Sequence, residues 1–235
     1  AGITGIFIHL VLKLSLLESF LVAAVIGSTD AASVFNILRS KKLNLKENTA
    51  SLLEMESGSN DPVSYMLTVI LTAVLTGQSV NVGLMLFFQV FFGVGCGVLF
   101  GKVTAVVLNR VEFDISQGKT ILVFAAAILA YTVPALIGGN GYLSVYLCGI
   151  ILGNSYLPHK RDMVLFFDVL TGVAQMMIFF LLGLLVTPSE LPQVILPSLV
   201  IMVFLTFVSR PVSVAAVLTG FRSSKGQIGL VSWAG

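Results

Sequence analysis

Long apolar runs alternate with short polar stretches along the whole chain, at 1–13, 16–38, 49–76, 82–108, 119–137, 141–157, 163–187, 192–221 and 227–235. A membrane-crossing helix needs about 20 predominantly apolar residues, and several of these runs exceed that length enough to tilt. The 141–157 run is shorter and opens glycine-rich. The ten-residue alternation of apolar and polar positions that marks a transmembrane barrel strand does not occur. The pattern predicts an all-α polytopic membrane protein, one transmembrane domain over 1–235 with about seven full helices, two partial ones at the ends and no soluble domain. Ala1 enters directly into a helical pattern and Gly235 stops inside an apolar run, so the fold is expected to be incomplete at both ends.

Punctuation refines the helices. Pro134 with Gly138, Gly139 and Gly141 predicts a turn, Pro188 predicts another, and Pro192 suits the first turn of the next helix. Gly93, Gly97 and Gly101 recur at every fourth residue, a stripe that lets a second helix approach closely.

Composition supports a membrane location. The chain is 57% hydrophobic and only 10% charged, where a soluble domain carries about a quarter charged residues. Eleven of the thirteen Lys and Arg residues fall in four alternate connections, 39–48, 102–119, 158–162 and 221–225. The intervening connections hold Lys13 alone. By the positive-inside rule the basic connections are cytoplasmic. They form no dense basic patch interleaved with aromatics, which argues against nucleic acid as a partner. Cys96 and Cys148 are isolated within apolar runs and read as small core residues, and His9 and His159 lack metal-ligand spacing.

Against this background a few ionisable residues stand out. Asp30 lies within Ile26-Gly-Ser-Thr-Asp-Ala-Ala-Ser33, a weakly helical stretch able to open and present carbonyls and the Thr29 hydroxyl to a cavity. The second cluster is Leu53-Glu-Met-Glu-Ser-Gly-Ser-Asn-Asp-Pro62. On a helix, Glu54 and Asp61 differ by about 20° in azimuth and share a face at different depths, with Ser57 one turn before Asp61. Glu56 and Asn60 lie on a neighbouring strip. An Asp at mid-membrane costs roughly 2.5–3.5 kcal/mol on insertion scales, so several acids at depth imply a water-filled cavity and something positive to bind. A proton and a small cation can then compete for the same carboxylate oxygens, with Asp61 and Asp30 as the metal ligands for a transported monovalent ion only. Arg210, deep in the 192–221 run, requires a carboxylate, and depth matching predicts Glu54. Asp168 lies near a basic connection and reads as interfacial. A passive channel, or a sensor or assembly component using the acids for helix packing, are the other readings of such a chain. An enzyme is disfavoured, since there is no paired His, no metal-ligand spacing and no serine–base arrangement.

Gly27-Ser-Thr-Asp-Ala-Ala-Ser33, Glu54-Met-Glu-Ser-Gly-Ser-Asn-Asp-Pro62 and Ser209-Arg-Pro211 resemble the monovalent cation:proton antiporter family in its NhaP-like branch, nearest to the bacterial potassium/proton antiporters. The resemblance extends over essentially the whole chain. It implies an inverted-repeat antiporter fold in which 16–38 is one of two crossed, interrupted helices. It further implies a homodimer in the bacterial inner membrane that exchanges K⁺ or Na⁺ for H⁺ without any cofactor. On matching positions it implies Asp61 as the principal ion and proton carboxylate and Asn60 as the neighbour found in electroneutral members. Thr29, Asp30, Glu56 and Ser57 would shape the site, and Glu54 would pair with Arg210.

Overall fold

The computed structural model describes residues 1–28, 49–111, 116–157, 160–220 and 223–234. Among these the regular structure is helical: α1 Gly2–Leu12, α2 Leu16–Ile26, α3 Thr49–Leu75, α4 Val82–Arg110, α5 Ser116–Leu136, α6 Gly141–Asn154, α7 Lys160–Leu185, α8 Leu191–Phe204, a π-helical turn Leu205–Ser209, α9 Arg210–Gly220 and α10 Lys225–Ala234. Each apolar run contains a helix in its expected place. The latter part of the 16–38 run, 29–38 with Thr29 and Asp30, lies outside the described residues. Among the described residues four stretches, Val82–Arg110, Gln117–Leu136, Lys160–Leu185 and Leu191–Gly220, are long and apolar enough to cross a membrane. Helix α3 has 27 residues, about 40 Å of rise, but its first half carries Glu54, Glu56 and Asp61.

The helices fall into two compact units, Ala1–Val80 with Thr187–Gly235, and Asn81–Val186. The first holds α1–α3, the π turn and α8–α10. Within it Ile8, Ala23 and Ile201 join α1, α2 and α8, while Leu53, Leu218 and Val231 join α3, α9 and α10. Gly5 lets Phe20 lie directly on α1, since a Cβ there would meet the ring at 2.8 Å. The α1–α2 turn is tight. Lys13 takes a left-handed conformation (φ 55°), and Ser15 and Glu18 form a reciprocal capping box at the start of α2.

The second unit is organised by the glycine stripe. A Cβ at Gly93 would lie 3.0 Å from the Asn140 carbonyl, one at Gly97 2.6 Å from the Ser144 carbonyl, and one at Gly101 3.0 Å from Ile151 Cβ. Contacts therefore advance together along both helices, so α4 and α6 run parallel with their backbones almost touching. The Asn140 N–H even donates across to the Gln89 carbonyl at 3.1 Å. Leu108, Val123, Cys148, Leu152 and Met163 close the core of this unit, and both cysteines are free.

Two details depart from the sequence reading. Pro134 sits inside α5, not in the turn after it, and its carbonyl anchors that turn by accepting from Ile137 and Gly139. The 102–119 connection is also narrower than expected. Lys102 and Arg110 lie on α4, and Lys119 on α5. The reason is that long basic side chains let a helix continue towards an interface while the charge reaches water.

The glycine seam yields a test. Gly97→Ala is expected to destabilise the full-length protein by about 1–3 kcal/mol, the usual cost of overpacking. Gly95→Ala, where nothing lies within 4 Å, is expected to be neutral or slightly stabilising. Melting of the two purified variants in detergent distinguishes them.

Candidate functional site

Every described residue of the acidic constellation belongs to the first unit. Helix α3 buries Thr49, Leu53 and Ser57 at four-residue spacing against its neighbours, which turns the intervening acids onto the flanking strips. Pro62 lies within the helix and is buried. Lacking an N–H, it cannot donate to the Gly58 carbonyl one turn earlier.

Opposite this stretch, α2 ends at Gly27. The last carbonyls of a helix have no partner within it, and the Gly27 carbonyl accepts a hydrogen bond from Asn60 Nδ2 at 3.3 Å. The next residue, Ser28, donates its hydroxyl to Asp61 Oδ1. Adjacent residues on α3 thus bind adjacent residues at the end of α2: the Asn60 amide reads the backbone, and the Asp61 carboxylate takes a hydroxyl. Thr29 and Asp30 come next in sequence and lie outside the described residues.

Arg210 approaches α3 from the far end of the chain. It rises from the first residue of α9, directly after the π turn, and its Nη2 lies 3.4 Å from Glu56 Oε2 and 3.5 Å from Oε1. Ser57 Oγ lies 3.5 Å from the same Oε2. The side chains are 13% and 29% exposed, so the pair is largely withdrawn from solvent. One guanidinium nitrogen spans both oxygens at long range. This is an electrostatic pair, not the short two-pronged fork that arginine can form with a carboxylate. The Nε of Arg210 is buried and without a hydrogen-bond partner.

The expected Glu54–Arg210 pair is therefore corrected to Glu56–Arg210. Two residues apart on a helix are about 160° apart in azimuth, so an arginine arriving from one side meets only one of the two glutamates. Depth alone does not distinguish them. Ser28, whose hydroxyl meets Asp61, is not singled out by the sequence pattern. Asp168 is exposed on α7, in the second unit. Among the described residues no group of three or more His, Cys, Asp or Glu side chains is arranged to hold a metal.

The family model described as sodium/hydrogen exchanger, transmembrane, matches residues 1–235. The chain is similar to the K(+)/H(+) antiporter NhaP of Alkalimonas amylolytica, 35% identical over 237 residues, covering 99% of this chain and 41% of that protein. It is likewise similar to the K(+)/H(+) antiporter NhaP2 of Shewanella sp. (strain ANA-3), 36% identical over 245 residues, covering 100% of this chain and 41% of that protein. The chain thus spans about two fifths of the length of these relatives. A more distant relative, the Probable Na(+)/H(+) antiporter 2 of Methanocaldococcus jannaschii, is 28% identical over 226 residues, 90% of this chain and 53% of that protein. Among solved structures, the sodium proton antiporter MjNhaP1 from Methanocaldococcus jannaschii at pH 8 superposes with a TM-score of 0.83 at 24% identity, covering 98% of this chain and 60% of that one. That likeness establishes the fold.

The two glutamates are expected to differ in their contribution to stability. Orphaning a fully buried charge costs about 3–5 kcal/mol. Because Glu56 keeps partial exposure, Glu56→Gln is expected to lose about 2–3 kcal/mol. Glu54→Gln is expected to lose less than half as much. Detergent melting curves of both variants, with a Glu56→Gln loss no greater than that of Glu54→Gln as the contrary result, check the assignment.

Proposed function

Because the chain belongs to the transmembrane sodium/hydrogen exchanger family, we propose that it forms part of a secondary transporter exchanging a monovalent cation, K⁺ or Na⁺, for protons by alternating access. The observation that carries this reading is the Asp61 carboxylate, held by Ser28 on an otherwise apolar helix bundle and flanked by Asn60 and the Glu56–Arg210 pair. Two of the most similar relatives are named K(+)/H(+) antiporters, which tilts the choice of ion towards potassium.

In this reading Asp61 is loaded in turn by a cation and by a proton. A dehydrating alkali cation needs several hard oxygens. Asp61 supplies carboxylate oxygens, Ser57 and Ser28 hydroxyls, and Thr29 and Asp30 complete the shell. Neutralisation of Glu56 by Arg210 leaves Asp61 as the carboxylate whose charge changes through the cycle. With a proton or one cation bound, the local charge is the same, so both laden forms cross at similar cost. The empty, charged form is penalised by the low-dielectric surroundings and does not cross. Obligatory exchange results from that difference, with no covalent step and no cofactor. Asn60, tied to the Gly27 carbonyl, holds α2 and α3 together at the point where the ion binds.

The transporter reading takes the described chain as part of one transmembrane exchanger domain, with the basic connections 39–48, 102–119, 158–162 and 221–225 facing the cytoplasm of a bacterial inner membrane. A homodimer is the assembly that the family resemblance implies.

Reconstitution of the full-length protein into liposomes with an internal pH dye tests the proposal. K⁺ and Na⁺ pulses are expected to give saturable proton movement that Asp61→Asn reduces at least about a hundredfold, in line with loss of an essential proton-transferring group. Undiminished exchange in a correctly inserted Asp61→Asn protein would remove Asp61 from its role. Passive cation current without proton coupling would replace exchange by a channel.

A further inference from the structure

The π turn before Arg210 is clasped at both of its ends by a single helix, α1. At its start, Phe204 stacks on Phe7 with ring centroids 3.6 Å apart and planes within 2°. At its end, Ser209 Oγ shares a hydrogen bond with Thr4 Oγ1 at 2.8 Å, and both residues are buried, at 6% and 1% exposure. Thr4 and Phe7 are one turn apart on α1, so one face of that helix grips the whole bulge.

The turn changes where Arg210 points. The Arg210 N–H donates to the Leu205 carbonyl, five residues back, in place of the four-residue step of an α-helix. Accommodating one extra residue in a turn rotates the downstream residues by about 100° relative to an uninterrupted α-helix through the same segment. A local reason for the wide turn is Pro211. It has no N–H for the Phe207 carbonyl, and its ring crowds that carbonyl. Ser213 Oγ satisfies the Ser209 carbonyl at 2.7 Å, and Phe207 is braced edge-on against Trp233 at 5.1 Å. Arg210 leaves this turn directly towards Glu56.

We infer that Thr4 and Ser209, with the Phe7–Phe204 stack, are positioning residues: they hold the π turn in the register that aims Arg210 at Glu56, so that α1 sets whether the glutamate beside the ion site is neutralised. The inference deepens the exchanger reading and rests on it. None of these four side chains is among the proposed ion ligands; they act through the arginine. A fixed polar contact at the last residue of the turn resists any shift of its register.

The test uses full-length protein in the pH-dye liposome assay, normalised to inserted protein. Thr4→Val keeps the shape of the side chain but leaves the Ser209 hydroxyl buried and unpaired, and is expected to reduce cation-dependent proton flux three- to tenfold, roughly the effect of losing one buried hydrogen bond. Thr4→Ser, which keeps the hydroxyl, should retain at least half of the parent flux. The decisive comparison repeats Thr4→Val in a Glu56→Gln background. If Thr4 acts through the Arg210–Glu56 pair, the added loss there is under twofold. An equal fold-loss in both backgrounds means an independent packing role and overturns the inference, as does a Thr4→Val protein indistinguishable from Thr4→Ser. If Glu56→Gln does not insert, Arg210→Lys serves as the second background. If neither inserts, the Val-against-Ser comparison decides alone. Asp61→Asn in the same assay separates the levels: if it exchanges normally, the exchanger site is wrong. If it is silent while Thr4→Val is inert or independent, only the positioning role fails.

Discussion

A guanidinium and a carboxylate, 154 residues apart in sequence, meet on apolar helices where neither charge is tolerable alone. Transferring either into a low-dielectric surround costs several kcal/mol even after relaxation, and their mutual attraction offsets that only when they are adjacent. The Glu56–Arg210 pair therefore acts as a condition on the unit as well as a bond within it. Helix α3 settles with Glu56 inward only if α9 is already beside it, and α9 carries Arg210 inward only if α3 is there. The rest of the unit is arranged to satisfy that condition. The π turn orients the arginine, α1 holds the turn, and α2 brings its exposed C-terminal carbonyl to Asn60. What remains is Asp61, an acid left on the strip that Arg210 does not reach.

Much of the fold is readable in the sequence because the features that specify it are local. Apolar runs end where Pro, Gly, Asn and Ser cluster, and helices α1 to α10 begin and end within a few residues of those signals. The Gly93–Gly97–Gly101 stripe predicts a close helix approach, and α6 supplies it with atoms 2.6–3.0 Å from where a side chain would begin. Charge is less reliable as punctuation. Lys102 and Arg110 resemble loop residues in a hydropathy reading, yet they sit on the last turns of α4 because a flexible aliphatic stem can carry a charge out along a helix.

The site is legible as a constellation but not as a wiring diagram. Glu54, Glu56, Asn60 and Asp61 are conspicuous in any reading that asks why acids lie in a membrane helix. Which of the glutamates meets Arg210 depends on the direction from which the arginine arrives, and that direction is set by a turn of non-standard pitch. A strict 3.6-residue period carried through 192–221 gives Arg210 the wrong azimuth, and Pro211 is the visible sign of the irregularity. Ser28 is obscure for a different reason. Its role depends on where α2 stops, and nothing in the single sequence distinguishes its hydroxyl from the neighbouring Thr29.

If Asp61 carries the ion as proposed, the Ser28–Asp61 contact bears on how fast such a site can work. A bare carboxylate with no resident donor would grip whatever positive species arrived and give it up slowly. With a serine hydroxyl already donating to it, part of the attraction is satisfied before any ion enters and restored when the ion departs, because the vacated oxygen falls back on its resident donor. In the proposed exchanger, arrival and departure would become a swap of partners at one oxygen, with a shallower well on the laden side. Such a device would shorten residence and raise the frequency of turnover, with no moving part larger than one side-chain rotation.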